Sequence, residues 1–148
     1  MLGNLRSQMH RGDVLLLGTD MVKNEEILLA AYDDSEGVTA DFNMNILQRL
    51  NRELGADFKC AGFRLRVRWN RADSQIEMHL ESLREQYVQI PAAKLHVQLP
   101  RGETIHTENS YKFTQNTLWA LLGDAAFGVE QMWQDPHKWY ALTLAGPQ

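Results

Sequence analysis

The sequence predicts a mixed α+β chain, an antiparallel β-meander with two helices ahead of it and further strands at both ends. Three observations predict it. Val14-Leu15-Leu16-Leu17 is a continuous apolar run between Gly12 and Gly18, the pattern of a buried strand in an α/β sheet. From Thr39 the apolar residues recur at helical spacing, and from Ala61 the period drops to two. The outer pieces therefore read α/β and the middle reads α+β.

Taken in order, Asn4 to His10 looks like the tail of a helix, and the strand after Gly12 runs on to Asp20. A strand so apolar needs neighbours on both sides. Asn24 can cap a short helix whose first turn carries Glu25 and Glu26, where carboxylates suit the helix dipole, and whose apolar positions are Ile27, Leu28, Ala31 and Tyr32. Asp33 to Gly37 breaks it. A longer helix begins near Thr39, is expected to bury Phe42, Ile46, Leu47, Leu50 and Leu54, and stops at Gly55.

Phe63, Leu65, Val67 and Trp69 then face one way and Arg64, Arg66 and Arg68 the other, as in a half-buried strand. Ile76, Met78 and Leu80 alternate with Glu77, His79 and Glu81 in the next, which puts His79 on an outer face. Further strands are expected at Tyr87 to Ile90, around Leu95, Val97 and Leu99, and from Thr104 to Phe113. Turns at Asn70 to Ser74, Pro91-Ala92-Ala93 and Pro100-Arg101-Gly102 join them into a meander. After Thr114 a helix carrying Leu118, Leu121 and Leu122 ends at Gly123. Val129 to Gln134 and Lys138 to Ala145 close the chain as a hairpin around Asp135-Pro136-His137.

Composition narrows the function. With 148 residues, 44% of them hydrophobic and 23% charged, the chain can bury a real core. A net charge of −4 gives no field for collecting phosphates, which argues against nucleic acid or an anionic membrane as partner. The one cysteine, Cys60, rules out an internal disulfide and reads as a small core residue. No apolar run approaches the roughly 20 residues of a membrane span and no signal-like segment opens the chain, so a soluble, cytoplasmic protein is expected.

The five histidines, His10, His79, His96, His106 and His137, lack the spacing of a metal pair, so no metal site is expected and the default is surface histidine. The arginine stripe, with Glu77, Glu81 and Glu85 nearby, reads as the solvated side of a sheet. There is no nucleophile elbow and no glycine-rich phosphate loop, hence no visible cofactor grip and no catalytic residue to name.

The informative segment is Thr107-Glu108-Asn109-Ser110. On a regular strand Glu108 and Ser110 project from one face about 7 Å apart. A carboxylate accepts from a ring N–H while a hydroxyl donates to the other nitrogen, so the pair can grip one imidazole. The competing reading is an ordinary polar strand face. Tyr32-Asp33-Asp34, Gly37-Val38-Thr39 and Phe42-Asn43 sit at a helix junction, where a capped loop with core aromatics is the bland alternative.

Read together, these segments resemble the C-terminal half of the histidine-specific, S-adenosylmethionine-dependent N-methyltransferases. The carriers are Leu17-Gly18-Thr19-Asp20 with Lys23, Ala30-Ala31-Tyr32-Asp33-Asp34, Gly37-Val38-Thr39-Ala40, Phe42-Asn43, the stretch Leu50 to Asp57, Ile76-Glu77-Met78, and Thr107 to Ser110 before Lys112-Phe113. The resemblance implies part of an α/β class I methyltransferase fold, with residues 1–22 and 113–148 as terminal strands of a Rossmann-like sheet and residues 23–112 as an inserted substrate-binding domain. It implies that Tyr32 holds the carboxylate of L-histidine, that Glu108 and Ser110 hold its imidazole, and that Met78 packs on the ring. Thr39 and Phe42 match positions near the amino group and the pocket wall.

The implied reaction is methylation of the α-amine of L-histidine, as in ergothioneine biosynthesis, with S-adenosylmethionine as cofactor of the complete enzyme. The alternatives are a related enzyme for another aromatic amino acid, or a non-catalytic binding or scaffold domain. The resemblance departs at His79, where a larger apolar residue is expected, and the family's cofactor-binding half has no counterpart in the sequence. The chain by itself is therefore expected to bind no cofactor and to be inactive, as a fragment, a split-enzyme subunit with a companion chain, or a truncated product. Strand Val14 to Gly18 would then leave an apolar edge prone to self-association.

Overall fold

A computed structural model describes residues 1–148 as four helices and eight strands in three small antiparallel sheets. The chain divides into two compact units. A terminal unit combines residues 1–23 with residues 111–148, and a central unit spans residues 24–110. No helix is long and apolar enough to cross a membrane.

In the terminal unit, α1 (Leu2–Arg6) precedes β1 (Leu15–Asp20), and α4 (Gln115–Asp124) precedes β7 (Phe127–Gln134) and β8 (Tyr140–Pro147). The sheet order is β1-β8-β7, all antiparallel, with Leu15 opposite Ala145 and Asp20 opposite Tyr140. Thr114 and Thr117 form a reciprocal cap at the start of α4. Leu118 and Leu122, one turn apart on α4, pack with Phe127 and Ala145 and are joined by Leu15, Leu17 and Phe113.

The expectation that β1 is buried between two neighbours fails here. It pairs with β8 alone, and its residues alternate in burial, with Leu16 56% exposed. Leu15 and Leu17 point into the core because a strand shows successive side chains to opposite faces, whatever their polarity. Leu121 is likewise exposed, since α4 buries only a stripe.

In the central unit, α2 (Glu25–Tyr32) starts on Asn24, whose side chain accepts from the Glu26 N–H, and α3 (Val38–Leu54) ends at Gly55 in the left-handed conformation, φ 66°. β2 (Phe63–Asn70), β3 (Gln75–Ser82) and β6 (Thr104–Tyr111) form one sheet in the order β2-β3-β6. Phe63 stands opposite Ser82 and Asn70 opposite Gln75. The core is Leu47 of α3 with Phe58, Phe63 and Leu80, closed by Val88, Ile90 and Leu99. Asn51 ties the chain below α3 by exchanging two hydrogen bonds with the backbone of Phe58, at 2.8 and 2.9 Å.

Three expectations are corrected. The strands do not make one meander: β4 (Gln86–Ile90) and β5 (Leu95–Leu99) pair only with each other, as a ribbon between β3 and β6 in sequence. Phe42 is not in the core but 64% exposed. The polar residues of β3 are not an outer face, since Glu77 and His79 are 4% and 6% exposed. β3 is the middle strand, and its charged side chains are covered by arginine stems and by one another.

Candidate functional site

The central unit gathers polar groups around β3 and β6. Tyr32, the last residue of α2, places its hydroxyl 2.7 Å from the Ser110 hydroxyl on β6. Either can be the donor. The two residues lie 78 positions apart, so the contact is made by the fold and not by local sequence.

Asp34 organises the start of α3. One carboxylate oxygen accepts from the Val38 N–H at 2.8 Å and the other from the Thr39 N–H at 3.0 Å. These donors, with the Thr39 hydroxyl contributing most, push the Asp34 carboxyl down to about 2. Thr39 is thereby fixed at the first turn, half-buried.

Met78 is buried on β3, and it is Asn43 that holds it. The Asn43 amide donates to the Thr39 carbonyl at 3.0 Å and to the Met78 sulfur at 3.7 Å. Its oxygen accepts from the Thr107 hydroxyl, which also lies 2.9 Å from the Met78 carbonyl. Asn43, fully buried, is a carrier of the family resemblance beside Phe42, but the sequence reading assigns it no contact in the site. The available signal was a polar residue at a core position of a helical period, next to Phe42.

The six residues expected to form a site thus separate into groups. Tyr32 and Ser110 meet, and Thr39 and Met78 are linked through Asn43. Phe42 and Glu108 remain at the surface. The same-face argument for Glu108 and Ser110 presumed strict alternation along β6. Within the same stretch His106 and Asn109, three apart, bond at 2.6 Å.

A second constellation lies on the same strands. Glu77 accepts from Arg68 at 2.5 Å, from Asn70 at 2.8 Å, from Gln75 at 3.1 Å, and sits 3.1 Å from His79 Nε2. These partners, Asn70 foremost, hold its carboxyl far below the usual range. Burial pushes the His79 imidazole down, against the Glu77 bond and together with the charges of His106 and Arg68. The His79 and His106 rings stack at 4.4 Å, 18° from parallel. Histidines far apart in sequence are so brought together, which spacing along the chain did not show.

In the terminal unit, Asp20 at the end of β1 faces the Lys23 ammonium and, at 2.9 Å, that of the fully buried Lys112. Burial raises its carboxyl, but the two lysines outweigh this and the net shift is downward.

Residues 1–147 match the family model described as histidine-specific methyltransferase, SAM-dependent. Over 144 residues the chain is 42% identical to the histidine N-alpha-methyltransferase of Mycolicibacterium smegmatis, covering 97% of this chain and 45% of that protein. Over 141 residues it is 43% identical to the protein of the same name from Mycobacterium tuberculosis, covering 95% and 44%. N-methyltransferase dtpB of Aspergillus flavus is 25% identical over 130 residues, 87% of this chain and 36% of that protein. The chain therefore spans less than half the length of the curated relatives it matches.

β1 runs through Met21-Val22-Lys23 into the cap of α2 with no glycine-rich turn, and the carboxylate at its end is engaged by two lysines. On the match along almost its whole length, the chain belongs to the histidine-specific, SAM-dependent methyltransferases.

Proposed function

We propose that the central unit is the histidine-recognising part of an enzyme that methylates the α-amine of L-histidine, with S-adenosylmethionine as donor. The observation that carries this reading is the 2.7 Å contact of Tyr32 with Ser110, two residues that the family resemblance assigns to the carboxylate and imidazole of one substrate. A histidine there would open that contact and take both hydroxyls. Glu108 would accept from the ring N–H, Ser110 would donate to the other nitrogen, and Met78, held by Asn43, would pack on the ring. Thr39 would lie toward the amino group and Phe42 would form the wall.

In this reading the terminal unit is the end of a class I methyltransferase sheet, and the cofactor is held by residues other than those of this chain, on a companion chain or on a longer form of this one. The chain by itself is expected to turn over no histidine. A second reading is a non-catalytic amino-acid-binding domain, which would keep the Tyr32–Ser110 contact as its ligand grip. Calorimetry separates the two: tight histidine binding that neither needs nor responds to S-adenosylmethionine and a cofactor-binding partner supports the second.

The site itself is tested in the complemented enzyme. Glu108→Gln is expected to weaken histidine binding by about 1.5–3 kcal/mol, because a charge-assisted bond becomes neutral. Ser110→Ala should cost less, and replacing both with apolar residues should erode preference over tryptophan-like substrates. Unchanged histidine affinity in Glu108→Gln and in the double variant would make the pair ordinary strand surface.

A further inference from the structure

We propose that Glu77, His79 and His106 form a binding site for a zinc-class divalent transition metal. Glu77 and His79 are two apart on β3 and share a face, and His106 stacks on His79 from the neighbouring strand β6. One ligand atom from each residue lies within 4.8 Å of the other two. In a tetrahedral zinc site, bonds of about 2.0–2.2 Å put ligand atoms about 3.4 Å apart, so closing on a metal asks the exposed His106 ring to rotate out of the stack and away from Asn109, turning its in-plane lone pair to the metal.

A second observation is independent of that proximity. His79 is 6% exposed, and its Nδ1 is buried with no hydrogen-bond partner. Two residues before Glu77 on the same face, the Gln75 Oε1 is buried and equally unpartnered. Buried polar atoms are nearly always satisfied. With the His79 Nε2–H turned to the Glu77 carboxylate, Nδ1 keeps a free lone pair, and this buried edge of β3 holds acceptors short of donors, an environment that favours a cation.

The donor set selects the metal. Two imidazoles and one carboxylate suit zinc, cobalt, nickel or copper better than magnesium or calcium, which prefer all-oxygen shells. Three protein ligands leave a fourth position open, as in exchangeable rather than structural sites. His106 is exposed, so that position opens to solvent. The opposing group is Arg68, bonded to Glu77. Its side chain is 60% exposed and can swing into water. Arg66, opposite His79 on β2, lies 3.6 Å from Glu81 and is drawn away from the site.

The inference does not rest on the methyltransferase reading. The full chain, stripped with a chelator, is titrated with Co²⁺ and then Zn²⁺, following cobalt's visible absorption. We expect one Co²⁺ per chain with the intense bands of a four-coordinate nitrogen–oxygen site, displaced by Zn²⁺. His106→Ala removes an exposed ring and should fold; it is expected to weaken binding by about tenfold or more. His79→Ala should do the same, whereas His10→Ala should bind as the parent does. No stoichiometric binding by the parent chain, or unchanged binding in a folded His106→Ala, overturns the proposal.

Discussion

Asp34 is the residue on which the start of α3 depends. The helix has Gly37 at its cap position with no side chain to offer, so a carboxylate three residues earlier takes the first N–H groups. Its folded value of about 2 lies below the ordinary 3.8. A depressed carboxylate contributes stability that is fully present above the unfolded value and is lost as pH falls through the folded one. Acid unfolding should therefore show a loss of stability from about pH 4 to below pH 2. Asp34→Asn keeps an acceptor but cannot titrate, so it should lower the melting temperature at pH 7 and flatten that part of the acid curve. An unaltered curve in Asp34→Asn would mean that other carboxylates set it. Much at this scale was hidden in the sequence. Asp34 reads as a loop-capping residue, Asn43 carries the resemblance beside Phe42 without a site role, and His79 reads as surface. In each case the side chain's partner comes from a distant element, Thr107 for Asn43 and His106 for His79, and no local pattern encodes such pairs.

At the scale of elements, periodicity served well where one face meets a core. α3 follows its helical spacing, and the caps at Asn24 and Gly55 end the elements where expected. Leu47 is fully buried in the central core and Leu118 in the terminal one. Truncating either to alanine is expected to cost about 2–5 kcal/mol, read from urea midpoints, because the cavity left behind closes only partly. A change below 1 kcal/mol in either would mean that the site collapses freely or was never tightly packed. Periodicity misled in β3, where alternating charges suggested an outer face, because covering of the second face by Arg64, Arg68 and their carboxylates is invisible in one strand's sequence. It misled in β1 for the converse reason: an apolar run says nothing of how many neighbours are present. β1 carries an unpaired edge with Val14 and Leu16 each 56% exposed. Such edges template pairing with another chain. Light scattering at rising concentration should show self-association that Leu16→Lys reduces, and a strictly monomeric mass at high concentration would refute the idea.

Across the whole molecule, the two units differ in how the chain builds them. The central unit is one continuous segment, residues 24–110, with its own core from Leu47 to Leu99. The terminal unit is made from two segments that meet in the β1–β8 pairing and in the bridge from Met21 to Phe113. A contiguous segment with its own core can fold alone. Residues 24–110 expressed without the flanks should thus unfold cooperatively in urea, with dispersed amide spectra. A molten, non-cooperative fragment would show that this core depends on the flanking residues. The broad α+β class and the bracketing of the middle by end strands were legible in the sequence. The separation of the strands into a three-stranded sheet and a two-stranded ribbon was not, because turns at Pro91 and Pro100 fit a meander and a detached ribbon equally well.

The antiparallel partnership of β1 with β8 also sets a schedule for synthesis. Leu15-Leu16-Leu17 leaves the ribosome before the central unit, while Thr143 to Ala145, opposite them, follow only after it. At about 5–20 residues per second, the leucine run waits on the order of 10 s without its partner strand while the whole central unit is made. Through that interval it is a sticky nascent segment, open to the cell's holding chaperones until β8 emerges.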